Sequence, residues 1–261
     1  LEWDESRTAW IIRTNRGDEL TAQFLAMGTG PLHVPKLPGI PGIEAFEGHS
    51  FHTSRWDYDY TGGDSTGNLT GLADKVVGII GTGATAVQCI PHLGASAKHL
   101  YVFQRTPSSV DERNNTPTNP KWVEKLQPGW QGQRNRNFTA LLDGIQLEDD
   151  QVRDKWTSPL KKLGDLLGTR DSTMSAEERA LLAEIADFQK MNEIRDRVDR
   201  TVADAGTAEA LKPWFGQWCK RPTFNDDYLP TFNRPNVTLV DTGGHGVDRV
   251  TEHGVVVDGT E

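Results

Sequence analysis

The chain has 261 residues, 36% of them hydrophobic, which is enough for one large domain or two smaller ones with cores of their own. Its 28 Lys and Arg residues against 37 Asp and Glu residues give a net charge of −9, which disfavours binding to nucleic acids and to anionic membranes. The two cysteines, without Cys or His at zinc-ligand spacing, exclude a disulfide framework and predict no metal site. No apolar run approaches the roughly 20 residues of a membrane helix. We therefore predict a globular protein of the reducing cytoplasm.

Residues 1–30 are predicted to contain a β-hairpin. Residues 9–12 and 20–26 have strand composition, and residues 15–18 between them favour a turn. We expect the second strand to end at residues 27–30, and prolines at 31, 35, 38 and 41 then exclude regular structure. Residues 31–70 are predicted to be a linker. Because the chain opens on Leu1 and not on Met, we expect it to begin inside a longer protein.

A β-α-β unit is predicted between residues 75 and 103. Residues 75–80 form a short, β-branched, apolar run without alternation, which predicts a buried parallel strand. A glycine-rich turn and a helix follow. We expect Pro91 to disturb or end that helix, because proline lacks an amide donor and clashes with the preceding turn. Residues 100–103 supply the second strand.

The stretch from about residue 114 to residue 214 has a charged, helical pattern, which predicts a helical insert. Ser175 and Glu178 have the spacing of a capping box. They precede an apolar series that we expect to pack on a sheet: Leu181, Leu182, Ile185 and Phe188. Strands are expected again at residues 237–240 and 254–257.

Residues 81–86, G-T-G-A-T-A, match the dinucleotide-binding pattern G-x-G-x-x-A. The first glycine permits a tight turn, the second lets the backbone approach a pyrophosphate, and Ala86 lets the helix pack closely on the strand. The helix N-terminus offers amides and a partial positive charge to the anion. A plain strand-turn-helix corner is the alternative. The predicted cofactor contacts are Gly81, Thr82, Gly83, Ala84, Thr85 and Gln88.

The residues after the second strand indicate which nicotinamide cofactor is bound. NAD-binding proteins usually carry Asp or Glu there, whereas an arginine matches the 2′-phosphate of NADP. This chain has Gln104, Arg105 and Thr106 at that position, which favours NADP(H). The fold is therefore predicted as α/β, with a Rossmann-like NADP-binding domain over residues 71–240 that contains the insert.

Residues 46–57, F-E-G-H-S-F-H-T-S-R-W-D, fit the pattern F-x-G-x-x-x-H-x-x-x-W-[P/D]. The pattern resembles the fingerprint of type I Baeyer-Villiger monooxygenases, in which it also lies just ahead of the second Rossmann motif. We interpret His52 and Trp56 as linker elements that couple two nucleotide-binding domains, not as proton-transfer groups. The matching residues are Phe46, Gly48, His52, Trp56 and Asp57.

Further stretches at residues 56–63, 103–107, 220–222 and 228–237 are similar to the same family, so the resemblance extends over essentially the whole chain. It implies that Lys220 joins Arg105 and Thr106 around the 2′-phosphate. It also implies that Arg221 is the catalytic arginine that reaches the flavin and the nicotinamide. Without the resemblance, this Lys-Arg pair would be interpreted as a solvated loop.

The resemblance implies an enzyme that inserts an oxygen atom beside a ketone carbonyl to give an ester or a lactone. Its cofactors would be NADP(H) and FAD, and its substrates a ketone and molecular oxygen. An always-charged guanidinium suits Arg221 to stabilise an anionic oxygen species. The alternatives are a flavin-containing N- or S-oxygenase and a non-catalytic NADP-binding module.

The FAD site is expected to be incomplete in this chain, because the FAD-binding G-x-G-x-x-G of such enzymes does not occur in the sequence. Residues 1–30 resemble a remnant of the FAD domain, and residues 241–261 resemble the return of the chain toward it. The prediction is therefore one Rossmann-like NADP domain with fragments of a second, FAD-binding one. The sequence predicts neither the identity of the ketone nor the oligomeric state.

Overall fold

The computed structural model describes residues 1–30, 34–143, 145, 147–153, 155–167 and 174–261. The first three residues of the predicted linker, including the proline at 31, and several residues of the predicted insert lie outside these ranges. The chain forms two compact units, Leu1–Pro38 and Gly39–Glu261.

The first unit contains an antiparallel sheet of three strands in the order β1-β2-β3. The strands are β1 Glu2–Asp4, β2 Ala9–Arg13 and β3 Glu19–Ala22, and β2 and β3 form the predicted hairpin. The second strand of the hairpin was predicted too long, because it ends at Ala22. Trp10 is the partner of Ala22, and beyond it β2 has only Ala9 before Thr8, which has the left-handed φ of 48°.

The second unit is built on a parallel sheet of three strands in the order β4-β5-β8. Its strands are β4 Val76–Ile80, β5 His99–Gln104 and β8 Val237–Asp241, and helix α2, Ala84–Ser96, connects the first two. The predicted α/β class with a parallel sheet is confirmed.

The prediction that the first parallel strand is buried was wrong. Val76 is 62% exposed and Ile80 is 44% exposed, and only Ile79 in this strand is buried. Strand β4 lies at an edge of the sheet. Among the described residues, α2 packs on the face of β4 that carries Val77 and Ile79, and not on the face that carries Val76 and Ile80. A run without alternation indicates apolar surface on both faces of a strand, and here one of these faces is open.

Of the two alternatives predicted for Pro91, an end of α2 near this residue was wrong, since the helix continues to Ser96. A proline inside a helix removes one hydrogen bond, in this case the one to the carbonyl of Val87. Val87, Ile90 and Leu93 are buried in the core of the unit. Burial of this apolar face holds the helix together across the proline.

The remaining elements of the second unit are short, with one exception. Two-residue strands form a parallel pair, β6 Val110–Asp111 with β7 Thr223–Phe224, and an antiparallel pair, β9 Arg249–Val250 with β10 Val255–Val256. The exception is α6, with 26 residues. Helix α6 spans Ala176–Thr201, and the other helices are α1 Tyr58–Thr61, α3 Pro120–Val123, α4 Trp130–Leu142, α5 Ser158–Leu167, α7 Ala205–Leu211 and α8 Tyr228–Thr231.

Helix α6 begins with the predicted capping box, in which Ser175 and Glu178 exchange hydrogen bonds with each other's backbone amides. The predicted apolar series was wrong at two of its four positions, because Leu181 is 58% exposed and Phe188 is 56% exposed, whereas Leu182 and Ile185 are partly buried. The buried face contains two cationic residues. One forms an ion pair with a buried carboxylate, and the other donates hydrogen bonds to backbone carbonyls. The residues of this face are Ala186, Lys190, Met191, Ile194, Arg197 and Val198.

The core of the second unit joins α2, the parallel sheet, α6 and α8, with Ile90, Leu100, Val102, Val198 and Leu229 among its members. Within the described parts of the chain, no helix is long and apolar enough to cross a membrane. The same residues contain no group of three or more His, Cys, Asp or Glu side chains placed to hold a metal ion.

Candidate cofactor-binding site

The glycine motif forms a turn between β4 and α2 at the carboxyl end of the sheet. Gly81 has φ 103°, a conformation that glycine adopts without strain, and its amide donates to the carbonyl of Phe103 at 2.9 Å. Gly83 is the N-cap of α2 and has no side-chain cap. The first hydrogen bond of the helix runs from the amide of Val87 to the carbonyl of Gly83. The preceding amides are therefore available to an anion.

The space beside this turn is open. A Cβ atom built on Gly81 or on Gly83 would meet no atom of the described residues within 4 Å. Packing inside the described protein therefore does not explain the second glycine, whose φ of −72° any residue can adopt. A glycine at this position leaves room for a pyrophosphate to approach the backbone, as the sequence predicts.

Two other predicted contacts at this turn direct their side chains to the protein. The hydroxyl of Thr82, which is buried, donates to the carbonyl of Thr106 at 2.9 Å, and the hydroxyl of Ser108 donates to the carbonyl of Thr82. The side-chain amide of Gln88 donates to the backbone carbonyl of Ala84 at 3.0 Å. Thr82 therefore fixes the glycine turn to the loop after β5, whereas Thr85 is exposed at the start of α2.

The cationic residues after β5 lie beside a distant part of the chain. Nζ of Lys220 donates to the hydroxyl of Thr106, although 114 residues separate them. Partial burial and, secondly, the positive charge of Arg105 lower the pKa of Lys220 below its ordinary value. The ammonium group also lies 4.6 Å from the ring centroid of Phe215.

Neither Arg105 nor Lys220 forms an ion pair with a carboxylate in the described part of the protein. Two neighbouring cations without a carboxylate disfavour each other, and an anion bound between them would remove that repulsion. The arrangement is therefore suited to a phosphate group.

Arg221 follows Lys220 and is exposed. Among the described residues it has no hydrogen bond or ion pair, and Pro222 behind it is buried. The structure therefore brings Arg105, Thr106 and Lys220 together, and the guanidinium of Arg221 beside them has no polar partner among the described residues.

The first three fingerprint residues stabilise their own segment. The ring of Phe46 covers Gly48 so closely that a Cβ on this glycine would lie 2.4 Å from the ring. Nδ1 of His52 accepts from the amide of Ser54 at 3.1 Å and so caps the 3-10 turn Thr53–Arg55.

The last two fingerprint residues hold α1. Nε1 of Trp56 donates to the hydroxyl of Thr61 at 3.0 Å, and Asp57 caps the helix by accepting from the amide of Tyr60 at 3.0 Å. That amide lowers the pKa of Asp57, and His49, whose Nε2 lies 2.9 Å from the carboxylate, lowers it further. An open groove of about 490 Å³ lies along residues 49–51 and 55–59.

Comparisons with known proteins cover the whole chain, although no family model matches it. The chain is 56% identical over its full length to pentalenolactone D synthase of Streptomyces arenae and spans 44% of that protein. It is also 56% identical, over 99% of its length, to a Baeyer-Villiger monooxygenase of Stachybotrys chlorohalonatus, of which it spans 42%.

Solved structures agree with these relatives. The polycyclic ketone monooxygenase of Thermothelomyces thermophila matches 98% of the chain with a TM-score of 0.82 and 40% identity, over 43% of that structure. OTEMO in complex with FAD and NADP matches 97% of the chain with a TM-score of 0.62 and 26% identity, over 47% of that structure.

The chain is homologous to Baeyer-Villiger monooxygenases.

The chain spans less than half the length of the Baeyer-Villiger monooxygenases and other curated relatives that it matches. The family resemblance inferred from the fingerprint is thus confirmed. The assignments of individual site residues stay predictions.

Sequence reasoning missed Ser108 and Phe215 at this site, and it predicted Thr82 as a cofactor contact without its hydrogen bond to the loop after β5. Thr82 and Ser108 connect the glycine turn to the loop of Arg105, and Phe215 lies beside Lys220. The contacts of Thr82 and Ser108 join residues 24 and 26 positions apart, so no local pattern indicates them. Phe215 lies near Lys220 in sequence, but no motif marks it.

Proposed function

We propose that the unit Gly39–Glu261 binds NADPH, with the pyrophosphate at the turn of Gly81 and Gly83 and the 2′-phosphate among Arg105, Thr106 and Lys220. The observation that supports this most directly is the contact of Lys220 with Thr106 beside Arg105. This contact brings two cations and a hydroxyl together at the end of β5, where the ribose 2′ substituent lies in Rossmann folds.

The residues present fit a dinucleotide. The glycine turn leaves open space where a pyrophosphate needs close approach to the backbone, and α2 presents unbonded amides to it. A planar guanidinium and an ammonium group can both donate to a phosphate. A plain strand-turn-helix corner would need neither the open glycine at 83 nor two cations without a carboxylate partner among the described residues.

The residues present do not fit FAD. The sequence has one G-x-G-x-x-[G/A] turn, and it is the turn assigned here to NADPH. No other described helix begins at an open glycine turn directly after a parallel strand. These residues therefore offer no cradle for FAD, and no step of flavin chemistry is assigned to them.

We further propose that the full-length protein is an NADPH- and FAD-dependent monooxygenase that inserts oxygen beside a ketone carbonyl to give an ester or a lactone. Relatives named as Baeyer-Villiger monooxygenases support this activity. The two cofactors supply hydride transfer and oxygen activation when bound. Arg221 contributes a fixed positive charge, which pairs with no carboxylate among the described residues, to stabilise negative charge that develops during oxygen insertion.

Titration of NADPH and NADH against the wild type and Arg105→Ala tests the cofactor assignment. Charge-assisted hydrogen bonds contribute about 1.5–3 kcal/mol, so the variant should bind NADPH roughly tenfold to a hundredfold more weakly. NADH lacks the 2′-phosphate, and its affinity should change little. Arg200→Ala is the matched control, because this exposed arginine lies near the end of α6. Equal losses for the two cofactors would contradict the assignment.

A further inference from the structure

The segment that carries Lys220 and Arg221 is held at both of its ends by side chains of one helix. We call residues 217–225 the cation segment. Its first residue, Gln217, is buried, and its amide donates to Oδ1 of Asp187 on α6 at 2.9 Å. A Cβ on Gly216 would lie 3.2 Å from the same carboxylate, so the carboxylate lies against the start of the segment.

Arg197 holds the other end of the cation segment. Arg197 is 9% exposed. Its guanidinium donates to the carbonyl of Asn225 at 3.0 Å and to the carbonyl of Val110 at 2.8 Å. One side chain therefore joins the ends of β6 and β7. The fixed fork of donors in arginine permits this double contact.

A third residue of α6 secures β6, along which the segment runs. Nζ of Lys190, which is 1% exposed, forms an ion pair with the buried carboxylate of Asp111. The amide of Asn225 donates to the carbonyl of Asp111, and the amide of Thr223 donates to the carbonyl of Ser109, both at 3.0 Å.

The three side chains lie on one face of α6, because their spacing of three and seven residues follows the helical repeat. Buried charges cost free energy unless they are paired, and apolar side chains of similar volume often stabilise a protein as well or better. A directional contact, unlike apolar packing, fixes the segment in one register. The exposed cations of the segment lie between two such contacts.

We propose that Asp187 and Arg197 are positioning residues for the cofactor site. By holding both ends of the cation segment, they fix Lys220 beside Thr106 and fix Arg221 next to it. The proposal rests on the proposed function, because it takes Lys220 to contact the 2′-phosphate and Arg221 to act in oxygen insertion.

The test compares Asp187→Ala, Asp187→Asn and Asp199→Ala in the full-length protein. Asp199 is a matched control, because it lies on the same helix and pairs with Lys212 at 2.9 Å, away from the cation segment. Affinities for NADPH and NADH are measured together with the hydrogen peroxide released per NADPH oxidised and the thermal midpoint.

We expect Asp187→Ala to bind NADPH roughly tenfold more weakly, because a displaced Lys220 would lose its charge-assisted hydrogen bond to the 2′-phosphate. The affinity for NADH, which lacks this phosphate, should stay close to that of the wild type. The variant should also release more peroxide. Asp187→Asn keeps an acceptor oxygen and should restore both properties, and Asp199→Ala should match the wild type. A merely structural role would lower the thermal midpoint and leave the ratio of the two affinities unchanged.

The positioning role alone would be overturned if folded Asp187→Ala kept the wild-type ratio of NADPH affinity to NADH affinity. It would also be overturned if Asp199→Ala lost as much NADPH affinity as Asp187→Ala. A wild-type protein without preference for NADPH would overturn it together with the proposed function. If Asp187→Ala does not fold, Arg197→Lys carries the same comparison, because lysine cannot make both carbonyl contacts in the fork geometry of arginine.

Discussion

Lys220 has a lowered pKa that suits an anion site. Partial burial and the charge of Arg105 both disfavour its protonated form, so the folded protein holds this lysine in a locally unfavourable state. A bound phosphate reverses the Coulombic contribution, because a nearby negative charge favours the ammonium form. Binding is therefore expected to be accompanied by a rise in the pKa of Lys220.

Arg221 carries the most specific prediction about catalysis. In the full-length protein, Arg221→Ala should lower the rate of ester formation about a hundredfold or more, as removal of one preorganised charge at a developing anion typically does. NADPH oxidation should persist in part, and the residual turnover should release hydrogen peroxide. Arg221→Lys keeps the charge without the planar fork and should recover only part of the rate.

The measurement follows ketone conversion and peroxide release in parallel for the wild type and both variants. Ester formation by the Ala variant within about twofold of the wild type, far from the loss typical of such a charge, would assign Arg221 to a solvated loop.

Helix α6 shows which parts of an element a sequence can predict. The capping box at Ser175 is local, and the sequence identified it correctly. The buried face depends on partners elsewhere in the chain, such as Asp111 for Lys190. The sequence around a lysine does not show such a partner, so the lysine is predicted to be exposed to solvent. The two-residue strands β6 and β7 were missed for the same reason, because their pairing joins residues far apart and leaves no periodic pattern.

The buried pair of α6 and β6 gives a prediction about stability. Lys190→Met should destabilise the protein by about 3–5 kcal/mol, because it leaves the carboxylate of Asp111 buried without its partner. The double variant Lys190→Met with Asp111→Leu should recover most of this loss, since no unpaired charge then remains.

Urea denaturation of both variants and the wild type measures the difference. Lys162→Met provides the control, because this lysine pairs with the half-exposed Glu193 at the surface and its loss should cost about 0–1 kcal/mol. A double variant no more stable than Lys190→Met would show that the destabilisation comes from lost packing and not from the unpaired charge.

At the scale of the whole molecule, the 261-residue chain should bind one kind of dinucleotide. We expect the purified chain to bind NADP(H) and to be colourless, because its glycine turn and cations suit NADPH and no second turn suits the pyrophosphate of FAD. Absorbance at flavin wavelengths and a titration with NADPH measure the two properties. A yellow chain with stoichiometric flavin would contradict this expectation and place an FAD site among the residues present.

The parallel sheet joins strands that are made at different times. His99 in β5 and Thr238 in β8 contact each other across 139 residues of sequence. A ribosome adds roughly 5–20 residues per second, so the edge of β5 that receives β8 stays unpaired for about ten seconds during synthesis. Unpaired strand edges invite association between chains. The long interval between these two strands therefore exposes the nascent protein to aggregation, and chaperone binding in that interval would protect it.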